Sequence, residues 1–178
     1  MKLKQKTLQM CLMALIAALY TSISLALAPL SFGNIQIRIA EALTLLPVLF
    51  SSSIPALALG CALTNLVGVL MGANILGIYD VFLGTAATLL AAICSWKLRN
   101  FRMFNLPVLS ALMPVLFNGI IIGAELSYIL FPTEQFVLGW IICGIEVAIG
   151  EALACLCFGL PLIQSLQKID FVKRFNLH

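Results

Sequence analysis

The sequence NIQIRIAEALTLLP, residues 34–47, carries charged residues between two long apolar segments. Arg38 is the one basic residue outside three basic clusters, and Glu41 follows it three residues later. On a helix this spacing puts both side chains on one face. Charged groups at the end of a membrane helix are costly unless they are used or neutralised. The stretch therefore predicts either an ion pair that anchors a helix end or one wall of a binding site.

The composition predicts a membrane protein. Of the 178 residues, 62% are hydrophobic and 10% are charged, whereas ordinary soluble domains carry about 25% charged residues. A soluble fold this apolar could not cover its own surface, so the solvent must be lipid. The first apolar run follows Lys2, Lys4 and Lys6 as in a secretion signal. Because it is about 20 residues long, we interpret it as a retained membrane helix.

Six membrane helices are predicted, separated by prolines, glycines, a serine run and polar residues. No repeat of fixed period is visible, and the fold class is an all-α membrane protein with one six-helix domain over residues 1–178. The predicted helices cover approximately residues 7–28, 38–50, 55–71, 79–96, 106–130 and 136–160.

The basic residues predict the orientation of this bundle. With six spans, both termini and the loop after the fourth helix lie on one side of the membrane. Nine of the ten basic residues fall in those three places, which the positive-inside rule assigns to the cytoplasm. We therefore expect a multi-pass protein of the cell membrane with both termini in the cytoplasm.

Polar residues inside the spans converge on the outer half of the bundle in this orientation. A carboxylate at the centre of a span costs about 2.5–3.5 kcal/mol on insertion scales, so several of them indicate a use. Acids outnumber bases there, which favours a ligand that carries hydrogen-bond donors or positive charge, although Asp80 and Glu125 could instead be water-facing helix ends. Glu151 is expected deeper, in the inner half. The predicted substrate-binding residues are Arg38, Glu41, Asn65, Asp80, Asn118, Glu125 and Glu146.

Motifs for catalysis, metal binding and nucleotide hydrolysis are absent from the sequence. There is no GxxxxGK[ST], no HExxH and no dinucleotide fingerprint, and the single histidine is the last residue. The six cysteines lie in apolar runs without metal-ligand spacing. We therefore expect no enzyme, no cofactor, no metal and no nucleic-acid partner. An intramembrane acid–base catalyst built on Glu146 and Glu151 is the minor alternative.

The first helix carries small residues at four-residue spacing, at Ala14, Ala18 and Ser22. Small residues at this spacing let a second helix approach closely in lipid. They indicate either a docking face for a partner or packing within the same chain.

Three stretches resemble the QueT family, in order along the chain: NIQIRIAEALTLLPVLF, IPALALGCALTNLVG and DVFLGTAATLLAA. The most specific parts are RIAEALTLLP and the pattern DxxxGTxAT, which begins at Asp80. The family consists of substrate-binding (S) components of energy-coupling factor (ECF) transporters and is assigned to queuosine precursors.

The resemblance implies an S component of the prokaryotic plasma membrane that works with a transmembrane coupling protein (T component) and two cytoplasmic ATPases. Small residues of the first helix would form the docking face. The implied ligand is a 7-deazaguanine such as queuine or its aminomethyl precursor. Glu41 or Glu146 would then accept hydrogen bonds from the base edge, and Asp80 or Glu125 would hold the amine.

Two other functions remain open from the sequence. One is an S component for a different vitamin, because a fold does not determine its ligand. The other is a stand-alone ion-coupled transporter, in which a buried acid such as Glu146 relays protons or cations.

Overall fold

The computed structural model describes residues 2–33 and 36–175, without the side chains of residues 2–5 and Arg174, and this part of the chain is largely helical. Asn34 and Ile35, which open the quoted stretch, lie outside the described residues. The helices are α1 (Lys2–Ala26), α2 (Ala28–Ser31), a 3₁₀ helix (Ile39–Val48), α3 (Ser53–Leu70), α4 (Ile78–Lys97), α5 (Val108–Leu130), α6 (Phe136–Ala152), a π-helical stretch (Leu153–Gly159), α7 (Leu160–Lys168) and α8 (Phe171–Phe175).

Five helical stretches are long and apolar enough to cross a membrane, and the 3₁₀ helix is a shorter apolar helix. The all-α, six-helix prediction is therefore confirmed. The last spanning stretch is longer than predicted, because the chain stays helical to Lys168. Pro161 does not end this helical stretch. It stands in the first turn of α7, the position at which a helix tolerates the missing N–H of proline best.

The 3₁₀ helix is enclosed by the rest of the bundle. Eight of its ten residues are buried, and it packs against α1, α3, α4 and the π stretch. The sequence predicted a helix over residues 38–50 that is short for a full span, and the structure corrects the details of this helix in two respects. The helix has the tighter 3₁₀ winding, and Arg38 precedes it with an extended backbone at φ −87° and ψ 90°.

Glycines allow the helices to approach closely. A Cβ atom at Gly60 of α3 would stand 3.0 Å from Tyr20 Cβ and 3.1 Å from the Ala17 carbonyl oxygen on α1. A Cβ atom at Gly123 of α5 would stand 2.5 Å from the Cα of Gly144 on α6. Larger residues at these two glycines would push the helix pairs apart, so these positions help to set the interhelical distances.

The outer surface of the bundle is rich in large apolar side chains. Leu70 of α3 is 78% exposed and Phe82 of α4 is 72% exposed. Water would penalise such a surface, whereas lipid tails solvate it. The polar side chains described next are buried instead.

Candidate functional site

Arg38 and Asp80 form a buried ion pair. Arg38 Nη2 donates to Asp80 Oδ2 at 2.9 Å, and the two side chains are 3% and 0% exposed. Arg38 Nε also donates to the Ser31 carbonyl at 3.4 Å, and its Cζ lies 5.6 Å from the ring centroid of Phe32. The acid that pairs with Arg38 is therefore Asp80 on α4, and not Glu41 three residues along the chain.

Asp80 is held by two asparagines as well as by Arg38. Asn74 Nδ2 donates to Asp80 Oδ2 at 2.8 Å, and Asn65 Nδ2 donates to the Asp80 carbonyl at 2.7 Å. Asp80 lies in the first turn of α4, where the helix dipole favours a negative charge. Gly84 leaves the room that this arrangement needs, because a Cβ atom there would overlap Asp80 Oδ1 and stand 2.6 Å from Asn65 Nδ2.

Glu41 is the centre of a second group of hydrogen bonds. Its Oε1 accepts from the hydroxyl of Tyr20 on α1 and, at 3.1 Å, from Thr88 Oγ1 on α4. Thr88 Oγ1 also lies 3.3 Å from Cys61 Sγ, and Asn65 Nδ2 lies 3.6 Å from the same sulfur. Cys61 therefore connects the group around Glu41 to the group around Asp80.

Several buried polar atoms beside these groups have no hydrogen-bond partner among the described residues. An unmet buried polar group costs about 1–3 kcal/mol, so a concentration of such groups in one interior points to a ligand that supplies the partners. These atoms are Gln36 Nε2, Glu41 Oε2, Asn65 Oδ1, Asp80 Oδ1, Asn118 Nδ2, both carboxylate oxygens of Glu125, and Glu151 Oε2.

The structure joins four predicted site residues through the contacts above: Arg38, Glu41, Asn65 and Asp80. The two predicted residues of α5 are also buried, with Asn118 3% and Glu125 6% exposed. Seven residues separate them, so both lie on one face of α5. Glu125 interacts electrostatically with Asp80 and Arg38. Glu146 is half-buried on α6, where its charge is close to Cys143.

Glu151 also belongs to this interior, although it is not among the substrate-binding residues predicted from the sequence. It is 2% exposed on α6 and interacts electrostatically with Glu41 and Arg38. From its position along a regular membrane helix, Glu151 is expected in the inner half of the bundle. In the structure Glu41 lies on the buried 3₁₀ helix, close enough to Glu151 for the two charges to interact.

Four uncharged residues were also missed, and two of them had a signal in the sequence. Cys61 stands four residues before Asn65, and Thr88 stands eight residues after Asp80, so each shares a helix face with a predicted site residue. Tyr20 and Asn74 have no such signal, because their roles depend on contacts with distant parts of the chain.

The small residues Ala14, Ala18 and Ser22 of α1 lie on the surface of the bundle. All three are exposed, whereas their neighbour Ala17 is buried against α3. Packing within the described part of the chain therefore does not use the stripe, which leaves it free for another helix.

Two grooves of the described structure differ in how close they come to the polar interior. One, of about 700 Å³, runs between α5 and α6 and is lined by apolar residues such as Leu112, Leu116 and Ile145. Another, of about 580 Å³, lies between the start of α4, the second half of α5 and the start of α6, and Glu125 forms part of its wall. No group of three His, Cys, Asp or Glu side chains in the described ranges could hold a metal ion.

Comparison with known proteins gives one match. The family model described as QueT transporter matches residues 10–168 of the chain. No curated protein and no solved structure matches it.

Proposed function

The chain belongs to the QueT transporter family, and from this premise we propose that it is the substrate-binding S component of an ECF-type importer. It binds a queuosine precursor, a 7-deazaguanine such as queuine or its aminomethyl precursor, from the outside and releases it inside. The observation that carries this proposal is the set of buried polar atoms without partners around Glu41, Asp80 and Glu125.

The charge balance of the interior favours a ligand with N–H donors or a positive charge. Arg38 is already neutralised by Asp80. Glu41 keeps one free oxygen and Glu125 keeps two. Since no second basic side chain of the described residues is buried there, the ligand would supply the compensating donors. A 7-deazaguanine has ring and exocyclic N–H groups, and its aminomethyl derivative adds an ammonium.

The hydrogen bonds of each acid support the choice of which part of the ligand it would contact. Between Glu41 and Glu146, we assign the base edge to Glu41, which is fully buried and has Oε2 free, whereas Glu146 lies at the half-exposed edge of α6. Between Asp80 and Glu125, we assign the amine to Glu125. Its two oxygens are unpartnered, whereas Asp80 Oδ2 already accepts from Arg38 and Asn74. Asn65 and Asn118 complete the proposed binding set.

The proposal includes partner proteins. An S component has no ATPase of its own and works with the T component and two cytoplasmic ATPases. We propose that α1 docks on the T component through Ala14, Ala18 and Ser22, which are exposed and small enough for close helix packing. Both termini are in the cytoplasm of a prokaryotic cell in this arrangement, and the ligand site opens outward. No catalysis or cofactor is involved.

Two alternatives differ in their driving force or their ligand. An S component for a different vitamin would keep the partners and change the ligand. A stand-alone ion-coupled transporter would use buried acids such as Glu125 to carry protons or cations. Uptake that needs the ATPase partners supports the S component. Proton- or sodium-dependent uptake by the chain alone would support the ion-coupled transporter.

The decisive experiment is isothermal titration of the purified, detergent-solubilised chain with queuine, its aminomethyl precursor, guanine and riboflavin. We expect tight binding of a deazaguanine and much weaker binding of guanine and riboflavin. The variant Glu41→Ala should abolish binding while the protein stays folded, and Glu134→Ala, at an exposed acid of the 133–135 turn, is the matched control. Folded wild-type protein that binds none of the four compounds would contradict the proposed ligand class.

A further inference from the structure

Two buried carboxylates lie on neighbouring helices of unusual winding. Glu41 is on the 3₁₀ helix, and Glu151 is on α6 two residues before the π stretch begins. The two elements are in direct contact, because Cys155 Sγ lies 3.6 Å from the Glu41 carbonyl oxygen. A Cβ atom at Gly159 would stand 3.2 Å from the Ala42 carbonyl oxygen. This packing brings both acids to the same part of the interior.

Glu151 belongs to a row of buried residues that continues into the π stretch. Buried residues follow one another at four-residue steps through this region, at Glu151, Cys155, Gly159 and Ile163. In a regular α-helix each such step rotates the side chain by about 40°, so the stripe would turn away from its neighbour. The wider π turns offset this rotation beyond Leu153, and Cys155 and Gly159 of this row contact the 3₁₀ helix. Such distortions are frequent at functional sites.

The hydrogen-bonding capacity of this region is unmet. Glu41 and Glu151 each have an Oε2 atom without a partner in the described chain. Asn118 is 3% exposed and lies close enough to interact with the Glu151 carboxylate, and its amide nitrogen has no close, well-aligned hydrogen-bond partner among the described residues. Arg38 attracts both acids at longer range, but the carboxylate to which it donates is that of Asp80. The region therefore presents two acceptors and one donor, all buried.

We propose that Glu151 is a ligand-binding residue, and that Glu41, Glu151 and Asn118 together recognise a planar base edge that has two adjacent N–H donors beside a carbonyl oxygen. This rests on the proposed function, and it adds a residue and a specificity rule to it. Glu41 accepts from the ring N–H, Glu151 accepts from the exocyclic amine, and Asn118 donates to the carbonyl oxygen. A base that lacks the amine leaves one buried carboxylate without a donor and is rejected.

A comparison of two bases tests this assignment. Isothermal titration of the detergent-solubilised full chain is made with 7-deazaguanine and with 7-deazahypoxanthine, which has the same rings but no exocyclic amine. We expect the wild type to bind 7-deazaguanine at least about ten-fold more tightly, the size of one charge-assisted hydrogen bond. In Glu151→Gln that preference should largely disappear, because binding of 7-deazaguanine weakens while binding of 7-deazahypoxanthine changes little.

The controls separate ligand contact from a structural role. Glu134→Gln, at an exposed acid, should keep the wild-type preference. Glu151→Gln should unfold at the wild-type temperature or above, because it removes a buried charge that has an unpartnered oxygen. Glu151→Asp, which keeps the charge but withdraws the carboxylate, should lose the same preference.

The outcomes distinguish the two levels of the proposal. If Glu151→Gln and Glu151→Asp weaken both bases equally, or neither, Glu151 is not the specificity residue, and the proposed function stands without it. If the folded wild type binds neither base, the proposed ligand class fails, and the assignment of Glu151 fails with it.

Discussion

Arg38 reaches across to Asp80, the first charged residue of α4, and the 2.9 Å ion pair between them is closed off from solvent. Arg38 comes just before the 3₁₀ helix, so the pair connects the start of that helix to the start of α4. Because Arg38 forms its ion pair with Asp80, it makes no ion pair with Glu41 or Glu125, and we propose that these two acids are available to a ligand. The pair therefore has two consequences, one for stability and one for binding.

Breaking this pair from one side should be strongly destabilising. Asp80→Asn leaves the Arg38 guanidinium buried without a counter-charge, at a cost of about 3–5 kcal/mol in the free energy of unfolding. Denaturant unfolding of the detergent-solubilised protein would measure the loss. The matched control is Asp170→Asn, which removes an exposed ion pair with Lys173 at 3.4 Å and should change stability little.

The double variant Arg38→Gln with Asp80→Asn checks the mechanism of that loss. It removes both charges, so we expect it to be more stable than Asp80→Asn alone. If the double variant were the less stable of the two, the buried charge of Arg38 could not be the cause.

Gly84 should not tolerate even one added methyl group. In Gly84→Ala the new Cβ would stand against Asp80 Oδ1 and 2.6 Å from Asn65 Nδ2, so one of these side chains must move. We expect lower thermal stability and weaker ligand binding, although alanine favours a helix over glycine by about 1 kcal/mol. Ala86→Val adds volume on the exposed face of α4 and should have little effect. A Gly84→Ala variant as stable as wild type would show that the site is not tightly packed there.

The hydroxyl of Tyr20 should help to hold Glu41 for the ligand. Tyr20→Phe removes one donor to the Glu41 carboxylate and leaves Thr88 as its remaining donor. We expect a loss of about 1–3 kcal/mol in stability, the cost of an unmet buried group, together with weaker ligand binding. Thermal unfolding and titration would measure both quantities. Tyr128→Phe, at a tyrosine that is 78% exposed, is the control and should match wild type in both.

The two faces of α1 should respond differently to larger residues. Ala14→Leu combined with Ala18→Leu enlarges the exposed face, so uptake with the ATPase partners should fall while ligand binding by the isolated chain stays normal. Ala17→Leu enlarges the buried face against Gly60 and should lower stability itself. Transport assays in cells and unfolding of the purified variants would separate the effects. Normal uptake by the double variant would exclude this face as the docking surface.

The helices, and the burial of the polar residues within them, were the features predicted best from the sequence. The apolar runs, the basic clusters and the polar residues within spans led to an all-α membrane bundle and to a polar interior. Burial of Arg38, Glu41, Asn65 and Asp80 followed from the cost of leaving charges in lipid. Cys61 and Thr88 could have been added, since they share helix faces with Asn65 and Asp80.

Partners across the fold could not be predicted in the same way. Local spacing paired Arg38 with Glu41, whereas the folded chain pairs it with Asp80 and gives Glu41 to Tyr20 and Thr88. Side-chain pairs between helices depend on how closely the backbones approach and on how each helix is rotated, and a linear pattern encodes neither.

The sequence by itself determined the solvent, the helices and the chemistry of the interior, because hydropathy and charge act through each residue's own cost of transfer into lipid. Only the tertiary structure decided which acids are neutralised and which remain free. The physical reason is that the winding and packing of the helices determine which side chains meet. The 3₁₀ helix carries Glu41 into the interior of the bundle, and the π stretch that follows Glu151 packs against this helix. Both distortions arise from packing between distant segments, so they became visible only in the folded chain.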